Sequence, residues 1–125
     1  MGRRIGDEIA MITLNMRLTA KPGCEEELNS AIRDKWMKAM AKQPGFIRGV
    51  MLKPYEGDAA AKVGLPEQEF TVEVVSFWES EERRAAWATS DIHAEVIAYV
   101  NDAILPETGK KAVMFTIEER WEASS

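Results

Sequence analysis

From Met11 to Thr19 the sequence alternates without a break: Ile12, Leu14, Met16 and Leu18 fall on one side, Thr13, Asn15, Arg17 and Thr19 on the other. A period of two predicts a strand with one buried face. Lys21-Pro22-Gly23 interrupts it, and the period then changes: Leu28, Ile32, Trp36 and Met40 recur every four residues, supported by Ala31 and Met37. That spacing predicts an amphipathic helix of roughly four to five turns. Glu25, Glu26 and Glu27 place negative charge where a helix start favours it, and Gln43-Pro44-Gly45 ends the helix.

The second half repeats the pattern. Phe46 to Lys53 reads as a strand with Phe46, Val50 and Leu52 on one face. Pro54 to Gln68 is a long polar connection with a helical turn at Ala59-Ala60-Ala61, and loops of this length are often functional or mobile. Glu69 to Trp78 is a third strand, with Phe70, Val72 and Val74 set against Glu69, Thr71 and Glu73. Ser80 caps a short helix from Glu81 to about Ala88, and Ser90 caps another from Asp91 to about Leu105 with Ile92, Val96, Tyr99, Val100 and Ala103 as its apolar face. After Pro106 and Gly109, Ala112 to Trp121 forms the fourth strand, with Val113, Phe115 and Ile117 alternating against Met114, Thr116 and Glu118. The order β-α-β-β-α-β predicts an α+β, ferredoxin-like domain with an antiparallel sheet and helices on one face. The domain spans residues 11–122, after a loose leader at 1–10 and before a short tail at 123–125.

The uniformly apolar strand faces are expected to meet the helices. The other face is mixed: it carries Thr13, Asn15, Arg17, Thr71, Glu73, Thr116 and Glu118, but also Met11, Ile47, Met51, Val75, Phe77 and Met114. Apolar side chains in that number make a patch larger than a monomer usually leaves wet, which predicts a homodimer with a second sheet over it.

The formal net charge of -5, with no basic stripe, argues against nucleic acid, whose phosphates need a positive surface. No apolar run reaches the roughly 18 residues of a membrane span, and the start has no apolar signal-peptide core. A single cysteine, Cys24, rules out an internal disulfide and suits a reducing compartment, so the expected location is the cytoplasm.

Candidate chemistry rests on few residues. Cys24 sits at a helix start, but the three glutamates after it oppose a thiolate, so it reads as incidental. His93 is the only histidine, which excludes a multi-histidine metal site and leaves a general base or a single axial haem ligand, against the plainer reading of a partly exposed histidine on a helix surface. Trp36, Trp78 and Trp87 either line an aromatic pocket between sheet and helices or form plain core.

The run Phe77-Trp78-Glu79-Ser80-Glu81-Glu82, followed by Ala86-Trp87, Ser90 and His93, resembles the strand-to-helix signature of the antibiotic-biosynthesis-monooxygenase family. Lys21-Pro22-Gly23 and Gln43-Pro44-Gly45-Phe46 resemble the family's other turns. The resemblance covers Met11 to about Trp121 and implies a homodimer whose sheets close into a dimeric α/β barrel, with a small-molecule cleft in each subunit. Members of this family include cofactor-independent oxygenases of aromatic polyketides, haem-binding and haem-degrading proteins, and proteins of no established activity.

The haem-degrading branch is marked by a first-strand Asn, a helix Trp and a His nine or ten residues later. Trp87 matches, but Val96 and Ile97 stand where that His belongs, and His93 comes about one helical turn early. Met16 takes the place of the Asn, and Asn15, one residue off, points to the other face. Haem degradation is disfavoured, while haem binding through His93 stays open. The resemblance implies a cofactor-independent monooxygenase acting on a small apolar or aromatic ligand, with Met16, Trp36, Phe70 and Trp87 lining the cleft and His93 as the base. The alternative is a non-catalytic dimeric binding or stress-associated module.

Overall fold

The computed structural model describes residues 11–124; the leader expected at 1–10 lies outside them, as does Ser125. Four strands, β1 (Ile12–Leu18), β2 (Phe46–Leu52), β3 (Val72–Trp78) and β4 (Lys110–Thr116), form one sheet in the order β2-β3-β1-β4, each paired antiparallel to its neighbour. The helix expected from the four-residue recurrence is present as α1 (Glu25–Ala31), a π-helical turn (Ile32–Trp36) and α2 (Met37–Met40). A single turn, α3 (Ala59–Lys62), lies in the long connection, and α4 (Glu81–Ala88) and α5 (Asp91–Ala103) follow β3. This is the ferredoxin-like arrangement expected from the sequence.

The capping serines act as their positions predict. The Ser80 hydroxyl accepts the Arg83 amide at 3.2 Å and the Ser90 hydroxyl accepts the His93 amide at 3.1 Å. Each satisfies an amide that the first helical turn leaves without a partner.

The core lies between the central strands and the helices. Leu18, Val72, Val74 and Trp78 from the sheet pack with Leu28, Ile32, Trp36 and Met40 from the first helical stretch and Val100 and Ala103 from α5, all of them buried. Each large side chain removed from water here contributes about 1.5–3 kcal/mol. Ser76, polar on the core side, is accounted for: its hydroxyl accepts the Trp78 indole N–H at 3.0 Å.

Two strand faces differ from the sequence expectation. In β2 a bulge between Phe46 and Arg48 brings Arg48, not Ile47, opposite Phe77. Beyond it the parity reverses, so Val50 and Leu52 pair with Val75 and Glu73 on the open face, and Met51 pairs with Val74 on the helix side. One extra residue flips every side chain after it.

In β4 the register sets Val113 opposite Asn15 and Phe115 opposite Thr13, which places them on the open face, while Met114 lies opposite Leu14 on the helix side. Alternation did not discriminate here because Ala112 and Met114 are also apolar. On α5, too, the inward stripe is His93, Val96, Ile97, Val100 and Ala103, and the expected core residues Ile92 and Tyr99 are exposed.

Gly45 holds the turn into β2 at φ +89, and a Cβ there would collide with the Cβ and Cγ of Arg83. Gly45→Ala is expected to cost about 1–3 kcal/mol through the left-handed backbone and this clash. Thermal melting checks this; an unchanged midpoint would show that α4 can yield.

Candidate functional site

Three of the residues expected to line a cleft come together where the π-helical turn, α4 and α5 meet. Trp36 ends the π turn, Trp87 lies in the last turn of α4, and His93 is the third residue of α5. Ser90 ties the last two: its hydroxyl donates to the Trp87 carbonyl at 2.7 Å while accepting the His93 amide. The Trp87 and His93 rings meet edge to face, with centroids 4.9 Å apart and planes at 81°. The Trp36 ring lies farther off, with centroids 6.5 Å apart and planes at 58°. Both indoles are buried and His93 is half-buried.

Burial pushes the His93 pKa down, and the positive charges of Lys110 and Arg84 push it the same way. The N-terminal end of α5 adds positive potential of the same sign. His93 is therefore a neutral imidazole near pH 7, with one ring nitrogen free to accept a proton. Both cations are held in place. Arg84 makes a two-pronged pair with Glu81 at 2.7 and 2.8 Å, and the Lys110 ammonium donates to the Asn101 side-chain carbonyl at 2.8 Å.

Met16 points to the helix side, opposite Val74 and Ala112, and packs partly buried against the core. All seven residues of β4 are exposed, and its helix-side residues Ala112, Met114 and Thr116 pair with Met16, Leu14 and Ile12 of β1.

Phe70 does not join this group. Its ring lies 4.8 Å under the guanidinium of Arg17, which pairs with Glu73 at 3.0 Å and Gln68 at 3.1 Å. Asn15 donates to Glu73 at 3.1 Å and accepts from Thr13 at 2.9 Å, on the face away from the helices. The Cys24 thiol is raised by desolvation and by Glu27, the opposite of an activated nucleophile.

Among the described residues no group of three or more His, Cys, Asp or Glu could hold a metal ion, and no helix is long and apolar enough to cross a membrane. Lys110 and Arg84 were not foreseen as part of the site. Arg84 sits in a charged run that reads as a solvated helix start, and the charge of Lys110 acts on His93 only because β4 packs its first residue against Asn101 of α5.

Residues 11–99 match the family described as antibiotic biosynthesis monooxygenase. The chain belongs to that family. Its fold is similar to that of SnoaB, a cofactor-independent oxygenase from Streptomyces nogalater, at TM-score 0.68 and 15% identity over 89% of this chain and 96% of that one. A dimeric ferredoxin-like protein of unknown function from Thermobifida fusca YX aligns at TM-score 0.64 and 14% identity, over 94% of this chain and all of its own. A conserved protein from Methanosarcina mazei Go1 gives TM-score 0.66 at 14% identity, over 87% and 94% of the two chains. Identities this low establish the shared fold and leave the chemistry to the residues of each member. No curated protein matches this monooxygenase-family chain.

Proposed function

We propose that this protein is a cofactor-independent oxygenase of small aromatic substrates, with His93 as the general base in a cleft lined by Met16, Trp36 and Trp87. The observation that carries the reading is the packing of the half-buried His93 imidazole against the Trp87 and Trp36 rings, with burial and the charges of Lys110 and Arg84 lowering its pKa. Such a base takes the proton of an acidic hydroxyl or an activated CH₂. The flanking charges of Lys110 and Arg84 then stabilise the resulting anion in a site of low dielectric. An electron-rich carbanion reduces O₂ directly. One oxygen atom enters as a carbonyl, the other leaves as water, and the substrate carbon supplies all four electrons: R₂CH₂ + O₂ → R₂C=O + H₂O.

The test is oxygen uptake with anthrone by protein prepared without added metal. The expected result is equimolar O₂ consumption and anthraquinone formation above the buffer rate. A rate equal to buffer alone would favour the non-catalytic binding module instead.

Haem on His93 is the weaker reading. Only one of the three residues that mark the haem-degrading branch, Trp87, is matched in this sequence. The working assembly in this proposal is a homodimer. Its support is the open sheet face, where Val50, Leu52, Val113 and Phe115 are exposed beside Val75 and Phe77.

A further inference from the structure

Two buried tryptophans face the same requirement and meet it differently. The Trp78 indole N–H donates to Ser76. The Trp36 indole N–H, buried to the same degree, has no hydrogen-bond partner among the described residues. A buried donor left unpaired is costly, and native proteins rarely carry one without a use for it. Trp36 is also the last residue of the π-helical turn Ile32–Trp36, after which α geometry resumes at Met37. Single π turns inserted in α-helices cluster at functional positions, because they re-aim one side chain at a cost in regularity.

The third observation is location. The Trp36 and His93 ring centroids are 6.5 Å apart, so the unpaired donor belongs to a direct neighbour of the one histidine.

We propose that the Trp36 indole N–H is the donor to an oxygen of the bound ligand, so that this cleft selects an aromatic compound bearing a hydroxyl or carbonyl over its hydrocarbon analogue. The inference rests on the reading of this cleft as the substrate site. It adds a residue that grips the oxygen whose proton His93 removes, and Trp36 would hold that oxygen more tightly once it becomes an anion. A site built to donate to a substrate oxygen rejects the analogue lacking it far more strongly than an apolar pocket does, because the donor is then stranded.

The experiment is a titration of ¹⁵N-tryptophan-labelled protein, in which each of the four tryptophans gives one indole N–H resonance. The Trp36 signal is identified as the one lost in Trp36→Phe. The probes are 1-naphthol and 1-methylnaphthalene, which share a ring system and differ in the oxygen. The expected result is a downfield shift of the Trp36 indole proton with 1-naphthol but not with 1-methylnaphthalene. Trp36→Phe should weaken 1-naphthol about 10-fold more than it weakens 1-methylnaphthalene, a difference of about 1.4 kcal/mol.

If Trp36→Phe does not fold, sequential assignment of the wild-type spectrum identifies the resonance and the wild-type titration decides. The proposal is overturned if both probes move the signal alike, if neither binds, or if the free protein already shows this proton shifted downfield and protected from exchange. The two readings fail separately. A Trp36 response to 1-naphthol without anthrone turnover removes the oxygenase and keeps the donor; turnover that is unchanged in Trp36→Phe, with no indole shift, does the reverse.

Discussion

His93→Ala is expected to slow anthrone-dependent oxygen uptake by about 10²- to 10⁴-fold, the usual contribution of a positioned general base. The loss should fall on kcat, because the ring that binds substrate by shape is chiefly that of Trp87 and Trp36, which the substitution leaves in place. Removing a half-buried imidazole packed against Trp87 opens a small cavity, so melting should shift modestly, by the equivalent of about 1–3 kcal/mol, and stay cooperative. His93→Gln keeps a hydrogen-bonding side chain without the basicity and should be as slow as the alanine variant. A rate within a factor of two of wild type in both variants would remove His93 from the mechanism.

The second large effect concerns assembly. Val113 and Phe115 project from the open face of β4 at 54% and 57% exposure, opposite Asn15 and Thr13. Val50 and Leu52 of β2 are exposed on the same face, with part-buried Phe77 and the Arg17–Glu73 pair between the two strands. In a dimer that buries this face, Val113→Asp with Phe115→Asp would force two carboxylates into an apolar contact, which costs several kcal/mol per charge. Light scattering should give twice the 14.0 kDa chain mass for wild type and a single chain mass for the double variant. The far-UV spectrum should be retained, since neither side chain belongs to the helix-side core. A wild type that runs as a monomer at micromolar concentration would refute the dimer.

The sequence made the element order legible because period carries that information: alternation in β1 and β3, recurrence every four residues from Leu28 to Met40, and a serine ahead of each of the later helices. Facing was legible where one face is purely apolar, as in β1 and in Val72 and Val74 of β3. It failed in β2, where a bulge after Phe46 reversed the parity, and in β4, where both sets of alternating residues are apolar. Register comes from pairing between distant strands, and a single strand does not encode it locally.

The site followed the same division. Trp36, Trp87 and His93 were read as cleft candidates from residue type and spacing, and they converge. Phe70 was misplaced because Arg17, 53 residues earlier in the chain, draws its ring away. The cations beside His93 depend on tertiary packing, as does the unpaired Trp36 donor, and neither has a local sequence signal.

Burial, and then the charges of Lys110 and Arg84, lower the His93 pKa and favour the neutral base. Because the chain has one histidine, its imidazole can be followed without ambiguity by NMR as pH is varied. The expected titration midpoint lies below the ordinary histidine value of about 6.5, with kcat rising as pH passes upward through that midpoint and the base loses its proton. A midpoint at or above about 6.5 would show a solvated or ion-paired histidine and contradict the account.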